Sequence, residues 1–476
     1  MNANRPPDAA ESTTGVGDSG ILSQPFRAAT IGIVGLVSVV AFEAMGSAAI
    51  MPAAAAAMNG IQVYGFLFGG PLAISLLGMV LAGQWSDQHS PMRAVWIGAA
   101  CFVAGLLVAA LSGSIWSLLL GRLATGLGSG MVGVALYALV GRVYPAALHS
   151  KIFAAFAAAW MLPALVGPGL AGLITGAFGW RYGIITAAVL AVPVCILLLR
   201  VRTTGAGKRP DGASGTAGTR ILWAFGASGA AIMLHLLGQS DAGPGAVDAQ
   251  RLSVATLPLL AAAVGLLLVS ARRLLPQGSL TARRGLPAAI TLSGLSQGAF
   301  FASEAFLPLL LYREKGASIA VAGLVLSAGA VSWSAGAFFR ARFHQRVSVA
   351  RLLRSGFSLI AAGIALSALV LLPAAPPLVA MLGWTLAGAG MGLVSPTLSV
   401  VTLALASPGA HGHAGASLRL SAALCTTSVL AVSGATFALL LTINSILAYA
   451  ASLGLAAVLA VLGAFLAHRV EGPRLA

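Results

Sequence analysis

Long apolar stretches of about 20 residues dominate this chain, and short polar segments rich in charge, Gly or Pro separate them. An α-helix needs about 20 mainly apolar residues to cross the hydrocarbon core of a membrane. The short alternating segments typical of a membrane β-barrel are not found in the sequence. The pattern therefore predicts an all-α integral membrane protein with about fourteen transmembrane helices.

The order of these stretches predicts an internal duplication. Six predicted spans precede a polar linker, two follow it, and six more complete the chain. The triplet around Glu43 in the first span resembles the triplet around Glu304 in the ninth. Two pseudo-symmetric six-helix bundles with two inserted helices are typical of a transporter whose site lies between the repeats. The expected divisions are a disordered cytoplasmic tail (1–27), a first bundle (28–200), a cytoplasmic linker (201–220), two inserted helices with their loop (221–285), a second bundle (286–468) and a cytoplasmic tail (469–476).

Composition and charge support the membrane assignment and give it an orientation. Only 8% of the residues are charged, against about 25% in soluble domains. With the N-terminus inside, most of the 27 Lys and Arg residues fall in inside segments, which satisfies the positive-inside rule. We therefore expect a multi-pass protein of the inner (plasma) membrane with both termini in the cytoplasm. The net charge of +16 then reflects topology and indicates no nucleic-acid partner.

Two acidic residues, Glu43 and Glu304, lie well inside predicted spans. An acid at the centre of a membrane helix costs a few kcal/mol on insertion scales, so such residues are usually functional. Because burial disfavours the charged form, a carboxyl group there is suited to taking up and releasing a proton. We expect both to couple transport to protons or to bind a substrate cation. The alternative is a structural acid that is always protonated or paired with an Arg.

One basic residue, Arg122, also lies within a predicted span. We assign it to proton coupling, where it would pair with a carboxyl group or with backbone carbonyls. The alternative is a residue near a helix end whose charged group reaches the interface.

No resident metal or cofactor is expected. The three cysteines, Cys101, Cys195 and Cys425, lie in apolar stretches without metal-ligand spacing. No P-loop is present to power transport with ATP. The expected energy source is a proton gradient.

Four motifs resemble those of the major facilitator superfamily, over residues 28–468. In "GQWSDQHSPMR" (83–93), Gly83 and Asp87 match the family's loop between helices two and three, and Arg93 closes the segment. In "RLATGLGSG" (122–130), Arg122 and Gly126 match the R-x-x-x-G motif that the family links to proton transfer.

The other two motifs resemble the fourteen-span drug:proton antiporter branch. In "PALVGPGLAG" (163–172), Gly167, Pro168 and Gly172 match the fifth-helix motif of exporters. Glu43 lies nine residues before Pro52, as an acid does in the first helix of this branch, although the branch's Thr and Asn are absent.

The resemblance implies proton-coupled efflux of amphipathic or cationic small molecules by alternating access, without enzymatic activity. We expect a monomer in the lipid bilayer whose partners are the small-molecule substrate and protons. Gln297 lies two turns before Glu304, on the same face of the predicted helix. The residues expected to line the substrate cavity are Gln297, Phe300, Phe301, Trp160 and Met161. Two alternatives remain: a dedicated exporter of a lipid, siderophore or other metabolite, and a membrane enzyme acting on lipid-linked substrates.

Overall fold

The described part of the chain is almost entirely helical in the computed structural model, which describes residues 20–24, 26–88, 90–199, 217–237, 256–343, 347–406 and 411–471. Most of the two predicted tails and of the predicted linker lie outside these ranges. The α-helices are α1 (Arg27–Ala57), α2 (Tyr64–Gln88), α3 (Pro91–Ala110), α4 (Ile115–Val143), α5 (Ala146–Phe178), α6 (Trp180–Leu198), α7 (Ala217–Leu237), α8 (Thr256–Leu274), α9 (Leu286–Glu314), α10 (Ile319–Phe343), α11 (Val349–Ala368), α12 (Pro377–Leu405), α13 (His411–Leu441) and α14 (Ser445–Leu466).

Local signals explain several helix boundaries. Ser114 and Ser117 form a capping box at the start of α4, which satisfies backbone donors that have no partner within the helix. Between α13 and α14 the apolar stretches almost touch, yet the chain breaks at Asn444. The Asn444 side chain accepts a hydrogen bond from the Leu447 backbone N–H at 3.1 Å and so caps α14.

Twelve helices in the described residues are long and apolar enough to cross a membrane: α1–α6 and α9–α14. The expectation of an all-α, multi-pass membrane protein is confirmed at this level. The remaining two helices do not meet the same standard. In α7 the apolar segment Ile221–Leu237 is shorter, and α8 (Thr256–Leu274) is not among the twelve. The structure therefore supports twelve of the about fourteen predicted spans, counted over the described residues.

Helices α1–α6 and α9–α14 pack in the same order. In the first set α4 packs between α2 and α3, and α1 packs on α5 and α6. In the second set α12 packs between α10 and α11, and α9 packs on α13 and α14. We refer to α1–α6 as the N-half and to α9–α14 as the C-half.

The same glycine pattern holds both halves together. The segments "GRLATGLGSG" (121–130, α4) and "GWTLAGAGMG" (383–392, α12) share glycines at four positions. A Cβ at Gly126 would lie 2.3 Å from the Pro71 carbonyl oxygen, and one at Gly388 would lie 2.1 Å from the Gly329 carbonyl oxygen. Small residues allow such close helix contact in membranes. We call these two segments the glycine ladders. When the two ladders are aligned by their glycines, Trp384 occupies the position of Arg122.

The two halves meet closely at the end of the molecule where α1 ends and α2 begins, which we call the α1–α2 end. There a Cβ at Gly65 of α2 would lie 2.5 Å from the Gly434 Cα of α13. The Tyr64 hydroxyl donates to the Ala305 carbonyl oxygen of α9 at 2.9 Å. Between α5 and α10, a Cβ at Gly323 would lie 2.3 Å from the Pro168 carbonyl oxygen. This end of the molecule is closed.

Candidate functional site

Glu43 and Arg122 form a buried ion pair inside the N-half. Arg122 donates through Nη1 to Glu43 Oε1, and the two side chains are 7% and 9% exposed for Arg122 and Glu43. An arginine in a membrane interior needs such a partner, because an unpaired buried charge is strongly unfavourable. Sequence analysis placed both residues in proton coupling, and the structure brings them into direct contact.

Two neighbours complete this ion-pair site. Ser47, one turn after Glu43, donates to Glu43 Oε1 at 2.8 Å and accepts from Arg122 Nη1 at 3.0 Å. Arg122 Nε donates to the Leu67 carbonyl oxygen of α2 at 3.4 Å. Ser47 was not predicted from the sequence, although its i+4 spacing from Glu43 places both residues on one face of α1. The guanidinium therefore links α4 to α1 and α2 at once.

A small cavity adjoins the pair. Its volume of about 10 Å³ is close to what one water molecule needs. Residues of α1, α3, α4 and α6 line it: Phe42, Glu43, Ser47, Ile50, Leu106, Arg122, Gly183, Ile184 and Ala187. The ion pair is therefore enclosed within the N-half.

Glu304 lies in a different environment. It is 8% exposed on α9. Among the described residues the ion pair is formed by Arg122 and Glu43, and Glu304 takes no part in it. The next residue, Ala305, accepts the interhalf hydrogen bond from Tyr64. Glu304 therefore lies beside the junction of the halves without a basic partner among the described residues. In the duplicated register, the position that supplies the guanidinium to Glu43 is occupied by Trp384.

Four aromatic rings form a cluster in the C-half. Phe300 stacks on Trp384 with ring centroids 4.4 Å apart, and its edge contacts with Phe301 and Trp333 span 5.6 and 5.4 Å. Phe300 and Trp384 are buried, whereas Phe301 and Trp333 are half-buried. The structure thus brings the predicted Phe300 and Phe301 together with two tryptophans. We call these four residues the aromatic cluster.

The other predicted cavity residues are more dispersed. Gln297 is half-buried, three residues before the aromatic cluster on α9. Trp160 and Met161 are 41% and 55% exposed on α5, away from the ring contacts of the cluster. Their expected role in substrate binding remains a prediction.

The fifth-helix motif lies at the junction of the halves. A Cβ at Gly167 would lie 3.5 Å from Cδ2 of Phe42 on α1, which is an ordinary van der Waals distance. A Cβ at Gly172 would lie 2.9 Å from the Ile319 carbonyl oxygen of α10. With Pro168, whose carbonyl meets Gly323, the motif forms much of the α5–α10 contact.

At the loop between α2 and α3, the structure points to a residue that sequence analysis missed. Arg142 donates through Nη2 to the Ser86 carbonyl oxygen at 2.6 Å, near the end of α2, where helix carbonyls lack partners. Arg93 is exposed. A Cβ at Gly83 would lie 3.9 Å from Val134 of α4, so α2 and α4 are not in tight contact at this glycine. The Asp87 side chain lies outside the described residues, so its expected role stays a prediction.

The two helical halves are those of a polytopic membrane protein. The chain belongs to the Major Facilitator Superfamily, whose family model matches residues 36–426. It is 24% identical over 411 residues to a probable multidrug-efflux transporter of Mycobacterium tuberculosis, covering 82% of this chain and 83% of that protein.

Solved structures share the fold. A peptide transporter of the POT type has a TM-score of 0.67 and 17% identity, covering 97% of this chain and 98% of that one. A D-xylose–proton symporter has a TM-score of 0.62 and 15% identity, covering 96% and 99%. The expected superfamily is confirmed, and these relatives and fold neighbours are transporters.

Proposed function

We propose that this protein is a proton-coupled exporter of amphipathic or cationic small molecules, related to the fourteen-span drug:proton antiporter branch. One observation carries the proposal. Two buried carboxyl groups occupy corresponding helices of the two halves: Glu43 is paired with an arginine, whereas Glu304, one turn after Phe300 on α9, has no basic partner among the described residues. The similarity to a probable multidrug-efflux transporter supports the same function.

In this proposal the ion-pair site senses the proton. Protonation of Glu43 removes its charge and weakens its bond to Arg122. The guanidinium also contacts Ser47 on α1 and the Leu67 carbonyl on α2, so proton uptake changes contacts among three helices at once. Release of the proton restores the pair. A change of contacts that depends on proton occupancy is what couples a proton to alternating access.

Glu304 and the aromatic cluster are the proposed substrate contacts. A carboxylate without a basic partner attracts a cation strongly in low dielectric. Aromatic faces add cation–π attraction and apolar surface for amphipathic molecules. Gln297, half-buried on the same helix, offers both a donor and an acceptor. A proton and a substrate cation would compete for the Glu304 carboxylate.

The two halves would alternate access by rocking about their junction, as a monomer in the inner membrane. The closed α1–α2 end is the proposed extracellular side, because the positive-inside rule places the N-terminus in the cytoplasm. We further propose that α7 and α8 cross the membrane as an inserted pair, which gives fourteen spans and the division into bundles at 28–200 and 286–468.

This topology is testable with reporter fusions. Alkaline phosphatase and green fluorescent protein fused after residue 476, or inserted at residue 210, should both report a cytoplasmic location. An even number of spans on each side of residue 210 produces this result. A fusion at residue 245, between α7 and α8, should report the outside, and a cytoplasmic result there would contradict the insertion of the pair.

Proteoliposomes test the proposed function directly. The purified protein is reconstituted with ethidium as cationic probe and an imposed pH gradient of either sign. Uphill ethidium movement opposite to the proton flow, with substrate-dependent proton movement in the other direction, is the expected result. Movement in the same direction as protons would indicate a symporter. Proton-driven movement of a lipid or siderophore, without movement of ethidium, would favour the dedicated exporter.

A further inference from the structure

Helix α7 packs along the junction of the two halves. Ala227, Ala230 and Leu234 of α7 form one apolar cluster with Leu76 of α2, Ala431 of α13 and residues of α8. Ser228 also donates to the Ala73 carbonyl oxygen of α2 at 2.6 Å. Helix α2 belongs to the N-half and α13 to the C-half, and the two meet at Gly65 and Gly434. Helix α7 therefore packs on both helices that form this contact between the halves.

His235 lies at the point where α7 meets that contact. Its ring stacks on Phe66 of α2 with centroids 5.0 Å apart and an interplanar angle of 9°. The Cβ position of Gly69 lies 2.0 Å from Nε2, and that of Gly434 lies 3.7 Å from Nδ1. The imidazole therefore fits between α2 and α13 at the closed α1–α2 end, against a position, Gly69, where a larger residue would clash with it.

The two ring nitrogens have no hydrogen-bond partner in the described residues, and His235 is 1% exposed. Polar groups buried in this way favour any rearrangement that lets them bond. A neutral imidazole tolerates the site better than a charged one, because an unpaired charge is far costlier to bury.

No charged side chain faces the ring from the described parts of the helices packed around it. The titratable groups nearest along α2 and α13 are Tyr64, which bonds to Ala305, and Cys425. On α8 the charged residues are Arg272 and Arg273, in the last turn and at the opposite end from His235. Protonation of the ring would thus place a lone positive charge between the halves.

We propose that His235 is a proton-binding site that opens the α1–α2 end, separate from the ion-pair site and from Glu304. The neutral ring fills the space between α2 and α13 and keeps this end closed. Opening exposes the ring to water, where an imidazole has a pKa of about 6.5. A proton bound there prevents the ring from returning, so acid on this side favours the open state. The inference rests on the proposed alternation of the two halves.

Distances between two spin labels test this proposal without transport. Ala57 of α1 and Ile443, after α13, are exposed at the α1–α2 end. Both are replaced by Cys and labelled after Cys101, Cys195 and Cys425 have been replaced by Ala. The protein is measured in nanodiscs between pH 8 and pH 5. The ratio of open to closed distances should rise about 30-fold for one imidazole that binds its proton only in the open state.

The key variant is His235→Phe, which keeps a flat ring against Phe66 but binds no proton. Its ratio should change by less than about 3-fold over the same pH range. The measurements are repeated with Glu43→Gln and Glu304→Gln combined, which removes the two acids that bind protons in the proposed function. Persistence of the pH response in that background assigns it to His235, whatever the outcome of the transport assay.

Gly69→Ala gives a second test that does not depend on the folding of His235→Phe. Its methyl group would meet Nε2, so the ring must move and the end should stay open at every pH. Gly229→Ala, with nothing within 4 Å of its Cβ position, is the matched control and should behave as wild type. A full pH response in His235→Phe, or none with His235 present, would overturn the proposal.

Discussion

Arg122→Ala is expected to lower the free energy of unfolding by about 3–5 kcal/mol at neutral pH, because it leaves the Glu43 carboxylate buried without its partner. The loss should shrink as the pH is lowered, since a protonated Glu43 carries no charge to bury. Arg122→Lys should recover only part of the stability, because one ammonium cannot reach Glu43, Ser47 and the Leu67 carbonyl as the guanidinium does. Denaturant unfolding in detergent at several pH values measures these differences.

Two controls separate the ion pair from a general loss of charge. Arg93→Ala removes an exposed arginine and should change stability by less than about 0.5 kcal/mol. Glu43→Gln combined with Arg122→Gln replaces the pair with neutral groups and should restore most of the stability. It should not restore proton-driven transport. A loss below about 1 kcal/mol for Arg122→Ala would mean that the pair contributes little to the fold.

Glu43→Gln and Glu304→Gln are expected to fail in different ways. Glu43→Gln should abolish uphill, proton-driven export of cationic and neutral substrates alike, while downhill exchange continues. Glu304→Gln should weaken binding of a cationic substrate by about 10–100-fold, as expected for loss of a contact to a charged group worth about 1.5–3 kcal/mol. Export of a neutral substrate should change little.

The measurement is export of ethidium and of one neutral amphiphile across imposed pH gradients, for each variant. Glu314→Gln is the matched control, because Glu314 is exposed at the end of the same helix α9. Full uphill export by Glu43→Gln would show that this carboxyl group is not the coupling site. Equal losses for both substrates in Glu304→Gln would remove its role as a cation contact.

The sequence allowed the helices and the isolated charges to be predicted, because both depend on local composition. A single acid or arginine in an apolar span is conspicuous whatever the fold. The pairing of Glu43 with Arg122 was left open, since it depends on how α1 and α4 pack. The backbone carbonyl of Leu67 carries no sequence signal at all.

The surroundings of His235 and Trp384 could not be predicted either, because they also depend on how the helices pack. His235 lies in one of the two inserted helices, outside both predicted bundles, and its surroundings are Phe66, Gly69 and Gly434 on two distant segments. Trp384 was one of several tryptophans with no distinguishing neighbour. Only the glycine ladders, aligned through their packing, place it at the position of Arg122.

The glycine ladders separate the scaffold of this protein from its chemistry. Backbone-to-backbone contact fixes the glycines of α4 and α12, so few substitutions are tolerated there. The residue that follows the first glycine differs in kind between the ladders: it is a cation, Arg122, in one and an indole, Trp384, in the other. Under the proposed function, changes of substrate specificity would fall on the aromatic cluster, while the glycine contacts of both halves are kept. A designer would start with Trp384 and its ring partners, and leave the frame untouched.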